Sequence, residues 1–280
     1  MARNPARLLR TVLYHAVAIA LTAIFVVPLF WVVAFSLRQT TLPPPLGIEW
    51  IPAPLVWGNY RRIFEIIPLG LYARNSLIVV ALAAPITLVV ASWAGFAMAQ
   101  LGQRSRHRLV LLAIFLLMVP VTSLWVTRYI LFTRLGLIDS IWTLIAPAFM
   151  GSTPFFVLLF YWTFRRIPLE LFESARLDGA SALSVWARIA MPLARPTTVA
   201  VGMLTFSLYW SDFLNPLLFL KSDARYTLPV GLSLLKEMDE TNWPLLMAGA
   251  VVMTTPVIVL FLLVQRYFWP EGRLSGFTGR

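Results

Sequence analysis

Six long apolar runs constrain the fold of this chain more than any other feature. The first of them, Thr11–Leu37, contains no charged residue. A helix that crosses a bilayer needs about 20 consecutive apolar residues. The fold class that these runs predict is an all-α integral membrane protein with one domain, residues 1–280. The six predicted spans are about 12–36, 75–99, 109–131, 141–163, 197–220 and 244–266.

The composition agrees with a membrane protein and argues against two other classes. Hydrophobic residues make up 59% of the chain and charged residues only 12%, whereas soluble domains carry about 25% charged residues. The net charge is +11, but the basic residues are spread between apolar runs, which disfavours a nucleic-acid-binding protein. There is no cysteine, so disulfides and thiolate ligands are excluded. The two histidines are far apart, and no metal site is expected.

The basic residues predict which side of the membrane each loop occupies. Six spans place both termini on one side, and the loops on that side would hold 14 of the 23 Lys and Arg residues. Since cytoplasmic loops carry an excess of these residues, we expect both termini in the cytoplasm. The N-terminal run is too long for a cleaved signal peptide, so we interpret it as the first span. This topology places residues 165–196 in the cytoplasm.

The segment Arg165–Pro196 is polar and charged, although apolar runs flank it on both sides. Pro168 suits the first turn of a helix, and Gly179 suits the position after a helix end. We therefore predict a short helix over Pro168–Asp178 with Glu170 and Glu173 near its N-terminus. A second short helix follows, with one apolar face formed by Ala182, Val185, Trp186, Ile189 and Leu193. Two interpretations remain open: an ordinary helical loop, or a docking surface for a soluble partner.

The same segment resembles a signature of the permease subunits of binding-protein-dependent ABC importers. That signature is EAA, three residues, Gly, nine residues, and I-x-L-P. Glu173-Ser174-Ala175, Gly179 and Ile189-Ala190-Met191-Pro192 match it in spacing, with Ser174 and Met191 as departures. Asp178-Gly179-Ala180-Ser181 resembles the D-G-A-S of the carbohydrate branch, and Tyr209–Phe213 is similar to its W-N-D-F motif. The resemblance extends from about Val12 to the C-terminus, and its best match is the maltose-type second permease.

The resemblance implies a six-span ABC type I importer permease fold with a cytoplasmic coupling helix, in the inner membrane of a prokaryote. Such a permease pairs with a second, homologous permease, which implies a heterodimer. Two ATPase subunits use ATP and Mg, and an extracytoplasmic binding protein delivers the sugar. The chain itself would bind no cofactor and catalyse no reaction. The residues implied in ATPase coupling are Glu170, Glu173, Ser174, Ala175, Arg176, Asp178, Gly179, Ile189 and Pro192. Arg176 and Asp178 could pair across the coupling interface or within the loop, and both options stay open.

A second set of residues is a candidate for the translocation path. Asp212 is the only formal charge between Arg195 and Lys221, and a charge inside a span is a candidate functional residue. It could line the path or serve as a structural hydrogen-bonding group near the outer interface. Aromatic side chains here could stack on sugar rings or simply pack between helices. The candidate path residues are Tyr209, Trp210, Asp212 and Asn215. The loop Lys221–Trp243 could reach the binding protein, as it does in the family.

Other functions are disfavoured by motifs that the sequence lacks. It contains no P-loop pattern G-x-x-x-x-G-K-[ST], so ATP chemistry has to come from another subunit. No Ser/His/Asp set or paired carboxylates stand out, which argues against an enzyme. A permease of the same family for glycerol phosphate or a polyol is the alternative within transport. A stand-alone secondary transporter would need several intramembrane ionisable residues, and only Asp212 qualifies.

Overall fold

The computed structural model describes residues 5–40, 50–238 and 243–267, and the regular structure in these ranges is helical. The helices of the first half are α1 (Pro5–Ser36), α2 (Asn59–Ile66), α3 (Leu69–Gln100), α4 (Gln103–Met118), α5 (Trp125–Arg134), α6 (Trp142–Ile145) and α7 (Pro154–Arg165). Those of the second half are α8 (Leu169–Leu177), α9 (Ala182–Val185), α10 (Met191–Leu193), α11 (Arg195–Trp210), α12 (Leu214–Phe219), α13 (Leu228–Met238) and α14 (Trp243–Val264). Short 3-10 turns occupy Val121–Leu124, Ala146–Met150, Asp223–Arg225 and Gln265–Tyr267.

Four stretches of the described chain are long and apolar enough to cross a membrane as they stand. They are Leu9–Ser36, Leu69–Gln100, Trp142–Arg165 and Trp243–Tyr267. Two further crossings are possible if each of two bent helix pairs counts as one span. The structure thus allows four to six crossings by length and composition. The six spans therefore remain a prediction, as does the single domain.

The first bent pair lies where the sequence predicts the third span, with Pro120 inside it. Helix α4 ends at Met118, and the helical stretch Val121–Arg134 continues at an angle of 87°. Pro120 explains the break, because proline lacks a backbone N–H and disfavours the helical conformation of the residue before it. Val119 is indeed extended, with φ −74° and ψ 119°. The span predicted over 109–131 is therefore not one straight helix.

The described residues form two compact units, and the smaller one combines parts of Met1–Leu69 and Gly231–Thr255. In this unit the Asn59 amide is buried and donates hydrogen bonds to the carbonyls of Ser36 (2.8 Å) and Arg38 (2.7 Å). The carbonyls at a helix C-terminus have no partner within the helix. Asn59 therefore caps the end of α1 and holds α2 beside it. Most of the large apolar side chains of α1 are exposed, as expected for a helix in contact with lipid or another subunit.

The larger unit combines Gly70–Val230 with the described part of Pro256–Arg280. Its core contains aromatic residues of α3, α7 and α8, and the Phe96 ring meets Phe164 edge-on at 5.7 Å between centroids. Gly95 lets α3 and α7 approach closely, since a Cβ there would lie 2.7 Å from Cβ of Phe160 and 2.8 Å from the backbone nitrogen of Tyr161. Real Cβ atoms do not tolerate such distances. A glycine at this position thus determines how this core packs.

Candidate functional site

The first candidate site is the segment between α7 and α11, and its first helix is anchored on one face only. Phe172 is 2% exposed and Ala175 is 9% exposed. The Phe172 ring packs edge-on against Phe96 of α3, with 5.8 Å between centroids. Glu170 and Glu173 lie on the opposite, exposed face. Helix α8 therefore presents carboxylates to its surroundings from a position fixed by aromatic packing.

The end of α8 is a Schellman motif centred on Gly179. The N–H of Ala180 donates to the carbonyl of Ala175 (2.9 Å), and the N–H of Gly179 donates to that of Arg176 (3.0 Å). Gly179 has φ +80°, in the left-handed region that favours glycine. The glycine-capped helix predicted from the sequence is confirmed, with its boundaries one residue shorter at each end. Asp178, the C-cap residue of α8, is exposed.

The second helix of the segment contains a π turn that changes its buried face. Ser181 caps its start by accepting a hydrogen bond from the N–H of Ser184 (3.3 Å). After α9, the turn Trp186–Ala190 inserts one extra residue before α10. The buried side chains are Val185, Ala190 and Ala194, with Trp186 and Ile189 half-buried beside them. The predicted face is therefore wrong at Ala182 and Leu193, which are exposed. At Leu193 the reason is the extra residue, which shifts the buried position after the turn by one, to Ala194, whereas Ala182 lies before the turn, at the start of α9.

The structure gives Arg176 a partner that the sequence interpretation did not foresee. Its Nη2 donates a hydrogen bond to Oε1 of Gln100, the last residue of α3, at 2.8 Å. Within the described ranges, Arg176 and Asp178 form no ion pair with each other. Arg176 thus ties α8 to the end of a 32-residue helix. The Ser174 hydroxyl donates to the Glu170 carbonyl (2.8 Å) and stays within its own helix.

The segment ends in a sharp change of direction before α11. Pro192 lies in the last turn of the helical stretch Ala182–Leu193, and it has no backbone N–H to donate there. The stretch Ala182–Leu193 meets α11 at 85°. Exposed leucines also mark the segment, and Leu177, just before the cap, is 89% exposed. Leu169, Leu171, Leu183 and Leu193 are exposed as well, and several exposed apolar side chains on one short segment are typical of a surface that another protein covers.

The second candidate site lies where α11 ends. Asp212 is the second residue after α11, and Asn215 is in the first turn of α12. The Asn215 amide donates to Oδ2 of Asp212 at 2.8 Å, and its backbone N–H donates to Oδ1 at 3.2 Å. Asp212 and Asn215 are both partly exposed. The structure thus brings together two of the four candidate path residues.

Arg128 is a member of this second site that the sequence interpretation missed. Its Nη1 donates to Oδ1 of Asn215 at 3.3 Å. Its guanidinium lies over the rings of Phe132 and Phe219, at 5.7 and 5.2 Å from their centroids. The signal was present, because an arginine inside the predicted span 109–131 is unusual. We name Arg128, Asp212 and Asn215 the polar cluster.

The two aromatic path candidates have different surroundings. The Tyr209 hydroxyl shares a hydrogen bond with Oγ of Ser152 at 2.8 Å, and Ser152 shares another with Oγ1 of Thr87 at 2.5 Å. Tyr209 therefore joins α11 to the start of α7 and to α3. Trp210 is buried, and its ring stacks on Phe206 at 5.6 Å. Within this chain Trp210 serves the packing of α11.

A third polar arrangement fixes the loop between α12 and α13. Oδ1 of Asp139 accepts the N–H groups of Lys221 and Ser222, each at 3.0 Å. Its Oδ2 accepts the Ser222 hydroxyl and pairs with Nη1 of Arg225 at 3.1 Å. The hydrogen bonds from the Ser222 hydroxyl and the two backbone N–H groups lower the pKa of Asp139 to about 2. This loop is the start of the predicted binding-protein loop, of which residues 239–242 lie outside the described residues.

The loop is also held by the N-terminal part of α3. The Asn75 amide donates to the carbonyls of Ala224 and Tyr226, at 2.9 Å each. The hydroxyl of Ser76 accepts the N–H of Leu228 at 2.8 Å. Helix α3 therefore bonds this loop near its N-terminal end and α8 at its C-terminal end. One helix thus connects two sites that the sequence treats separately.

The long apolar helices and the exposed, capped segment define a multi-pass α-helical membrane component of a transport system. Residues 87–271 match the family described as "Binding-protein-dependent transport system inner membrane component", and the chain belongs to this family. The predictions of the family and of a transport subunit rather than an enzyme are confirmed. Both predictions depended mainly on the sequence of the segment around Glu173.

Named relatives and a solved structure agree with this assignment. The chain is 34% identical to the "Probable ABC transporter permease protein YurM" of Bacillus subtilis, over 86% of this chain and 80% of the relative. It is 31% identical to the "Arabinooligosaccharides transport system permease protein AraQ" of Halalkalibacterium halodurans, over 93% of both chains. A chain of a bacterial ABC transporter that imports the acidic polysaccharide alginate superposes with a TM-score of 0.76 at 19% identity, over 96% of this chain and 99% of that one. The predicted permease fold is confirmed by this likeness.

Proposed function

We propose that the chain forms half of the translocation path of an ATP-driven importer for a sugar that an extracytoplasmic binding protein delivers. The path would be completed by a second, homologous permease, with both termini of this chain in the cytoplasm. Two separate ATPase subunits would bind ATP and Mg, because the sequence has no P-loop. A same-family permease for glycerol phosphate or a polyol is the alternative.

The exposed face of α8 is the single observation that carries this proposal. Glu170 and Glu173 are exposed on a helix whose other face is buried, and Leu177 extends from its end. The Schellman cap and the Arg176–Gln100 hydrogen bond make the helix rigid. A helix held in this way transmits a displacement of its partner to the helices behind it. We infer that α8 docks on an ATPase subunit and passes its closure on to α3.

A charge reversal at Glu173 tests the docking. We expect Glu173→Arg to reduce both co-purification of the ATPase subunits and binding-protein-stimulated ATP hydrolysis at least tenfold, since a carboxylate at a buried interface is replaced by the opposite charge. Glu65→Arg is the matched control, because Glu65 is also an exposed carboxylate on a short helix. It should leave co-purification unchanged. If Glu173→Arg co-purifies and hydrolyses like the parent, the docking assignment is wrong.

The sugar assignment is supported by the relative named for arabinooligosaccharide transport and by the Asp178–Ser181 motif. Its test uses the complete transporter in proteoliposomes with its own binding protein. Stimulated ATP hydrolysis would be measured with neutral pentose and hexose oligosaccharides, with uronate oligosaccharides, and with glycerol phosphate. We expect stimulation by a neutral oligosaccharide. Stimulation by glycerol phosphate alone would replace the sugar with the alternative.

A further inference from the structure

The polar cluster has partly exposed charges in apolar surroundings. Arg128, Asp212 and Asn215 are each partly exposed. The neighbouring side chains on α5 and α12 are exposed and apolar, among them Val126, Ile130, Leu131, Leu214 and Leu217. Charged groups at such positions in a membrane protein face a water-filled cavity or a protein surface, since hydrocarbon does not solvate them. The exposed side of the cluster is therefore not a lipid-facing surface.

The cluster is also electrically balanced and fixed in orientation. It holds one positive and one negative side chain, linked through the Asn215 amide. Because Nη1 of Arg128 donates to the amide oxygen, the amide nitrogen points to Oδ2 of Asp212. Nη2 of Arg128 is buried and has no hydrogen-bond partner among the described residues. Arg128 thus orients the Asn215 amide, which in turn binds Asp212. Its own guanidinium is held over the rings of Phe132 and Phe219.

We propose that the polar cluster is a contact site for a neutral, polyhydroxylated solute in the translocation path, with Arg128 as its positioning residue. The carboxylate of Asp212 accepts hydrogen bonds from solute hydroxyls, and the amide of Asn215 both donates and accepts them. Arg128 offsets the charge of Asp212, so the site neither attracts nor repels ions strongly. This proposal rests on the proposed function, and it names the class of solute that the path takes.

The chain has no cysteine, so a single introduced thiol can report on the site. Ser211 is exposed and directly precedes Asp212, and serine and cysteine have similar sizes. Ser211→Cys would be placed in the complete transporter in proteoliposomes and treated with cationic and anionic membrane-impermeant thiosulfonates during ATP turnover. We expect reaction with both reagents. The matched control is Phe115→Cys on α4, an exposed apolar position that should stay unmodified.

Charge variants in the Ser211→Cys background then test the role of Arg128. Arg128→Gln should raise the ratio of cationic to anionic reaction rates about fivefold, because Asp212 is left unbalanced. Asp212→Asn should lower the ratio by a similar factor. The double variant should return it to within about twofold of the parent, and Arg128→Lys should preserve it. If Arg128 and Asp212 had only structural roles, Arg128→Gln and Asp212→Asn would not change this ratio in opposite directions.

Two results in these thiol experiments would overturn the proposal before solute is added: an unreactive Ser211→Cys, or a ratio that the charge variants leave unchanged. Solute contact has its own test, in which the neutral oligosaccharide that stimulates hydrolysis should slow the Ser211→Cys reaction at least threefold when the binding protein is present. Unchanged rates would contradict contact. Co-purification of the ATPase subunits checks that each variant assembles. If a charge variant does not assemble, the solute-protection test on Ser211→Cys alone still decides the proposal. Failure here with normal Glu173 results refutes only this inference, whereas loss of stimulated hydrolysis in the parent refutes the proposed function.

Discussion

Gly179 is the residue whose conformation the segment between α7 and α11 depends on most directly. Its φ of +80° costs about 1–2 kcal/mol for a residue with a Cβ, although no atom lies within 4 Å of the position a Cβ would take. We expect Gly179→Ala to increase amide hydrogen exchange across 169–193 at least fivefold. Gly102→Ala is the control, because Gly102 has open space and an ordinary φ of −60°. Equal exchange in both variants would contradict the role given to the cap.

Asp139 makes a second prediction at the scale of one residue, and it concerns pH. Its carboxyl pKa is about 2 in the folded chain and 3.8 ordinarily, so the charged form stabilises the fold above about pH 4. That stabilisation disappears as the pH falls from about 4 to 2. With its partial exposure, we expect about 1–2 kcal/mol. Asp139→Asn should therefore lower the melting temperature by about 2–6 °C at pH 7.

Melting temperatures measured at acidic pH check that prediction. Melting temperatures of the parent and of Asp139→Asn, measured in detergent, should converge only as the pH falls to about 2, since protonation of the folded carboxyl then removes the same interactions. Asp223→Asn, an exposed carboxylate in the same loop, should leave the melting temperature unchanged. A difference between parent and Asp139→Asn that stays constant from pH 7 to about 2 would show that the charge is not the cause.

Some of the features at the scale of single residues could be predicted from residue identity alone. Pro168 and Gly179 bound α8 because proline and glycine restrict or free the backbone locally, and such effects depend on few neighbours. The roles of Arg128 and Gln100 could not be predicted in this way. Arg128 meets Asn215 across 87 positions of sequence, and Arg176 meets Gln100 across 76. Only the packing of helices brings such pairs together.

At the scale of helices, the close approach of α3 and α7 at Gly95 sets the geometry of the core. A Cβ at this position would lie within 2.8 Å of backbone atoms of Val157 and Tyr161. We expect Gly95→Ala to separate the two helices and to destabilise the chain by about 1–3 kcal/mol, seen as a lower melting temperature in detergent. Gly70→Ala, on the same helix with open space around it, should be neutral or slightly stabilising. Similar melting temperatures for the two variants would contradict the close packing.

Periodicity predicted the helices well and their irregularities poorly. The break at Pro120 follows from proline chemistry, yet proline also occurs inside α1, α3 and α14 without ending them. Tertiary contacts decide which prolines interrupt a helix in a membrane protein. The π turn at Trp186–Ala190 has no sequence signal at all. It forms because Val185, Ala190 and Ala194 together bury the same face.

At the scale of the molecule, the proposed function makes the chain depend on separate ATPase subunits for its energy source. The sequence has no P-loop, so we expect the purified chain to hydrolyse no ATP above background. Hydrolysis should appear when the ATPase subunits are added, and a variant of those subunits without the P-loop lysine should abolish it. Activity that follows this chain through purification at constant specific activity would contradict the assignment.

The sequence by itself determined the class of this protein, the helical character of its apolar runs and the glycine-capped helix around Glu173. These properties follow from the cost of placing charge and unpaired backbone groups in hydrocarbon, and from local backbone chemistry. The tertiary structure decided where the predicted spans bend, which face of the second short helix is buried, and what Arg176 and Arg128 contact. These depend on side chains that are distant in sequence, because packing and hydrogen bonding act through space and leave no local periodic trace.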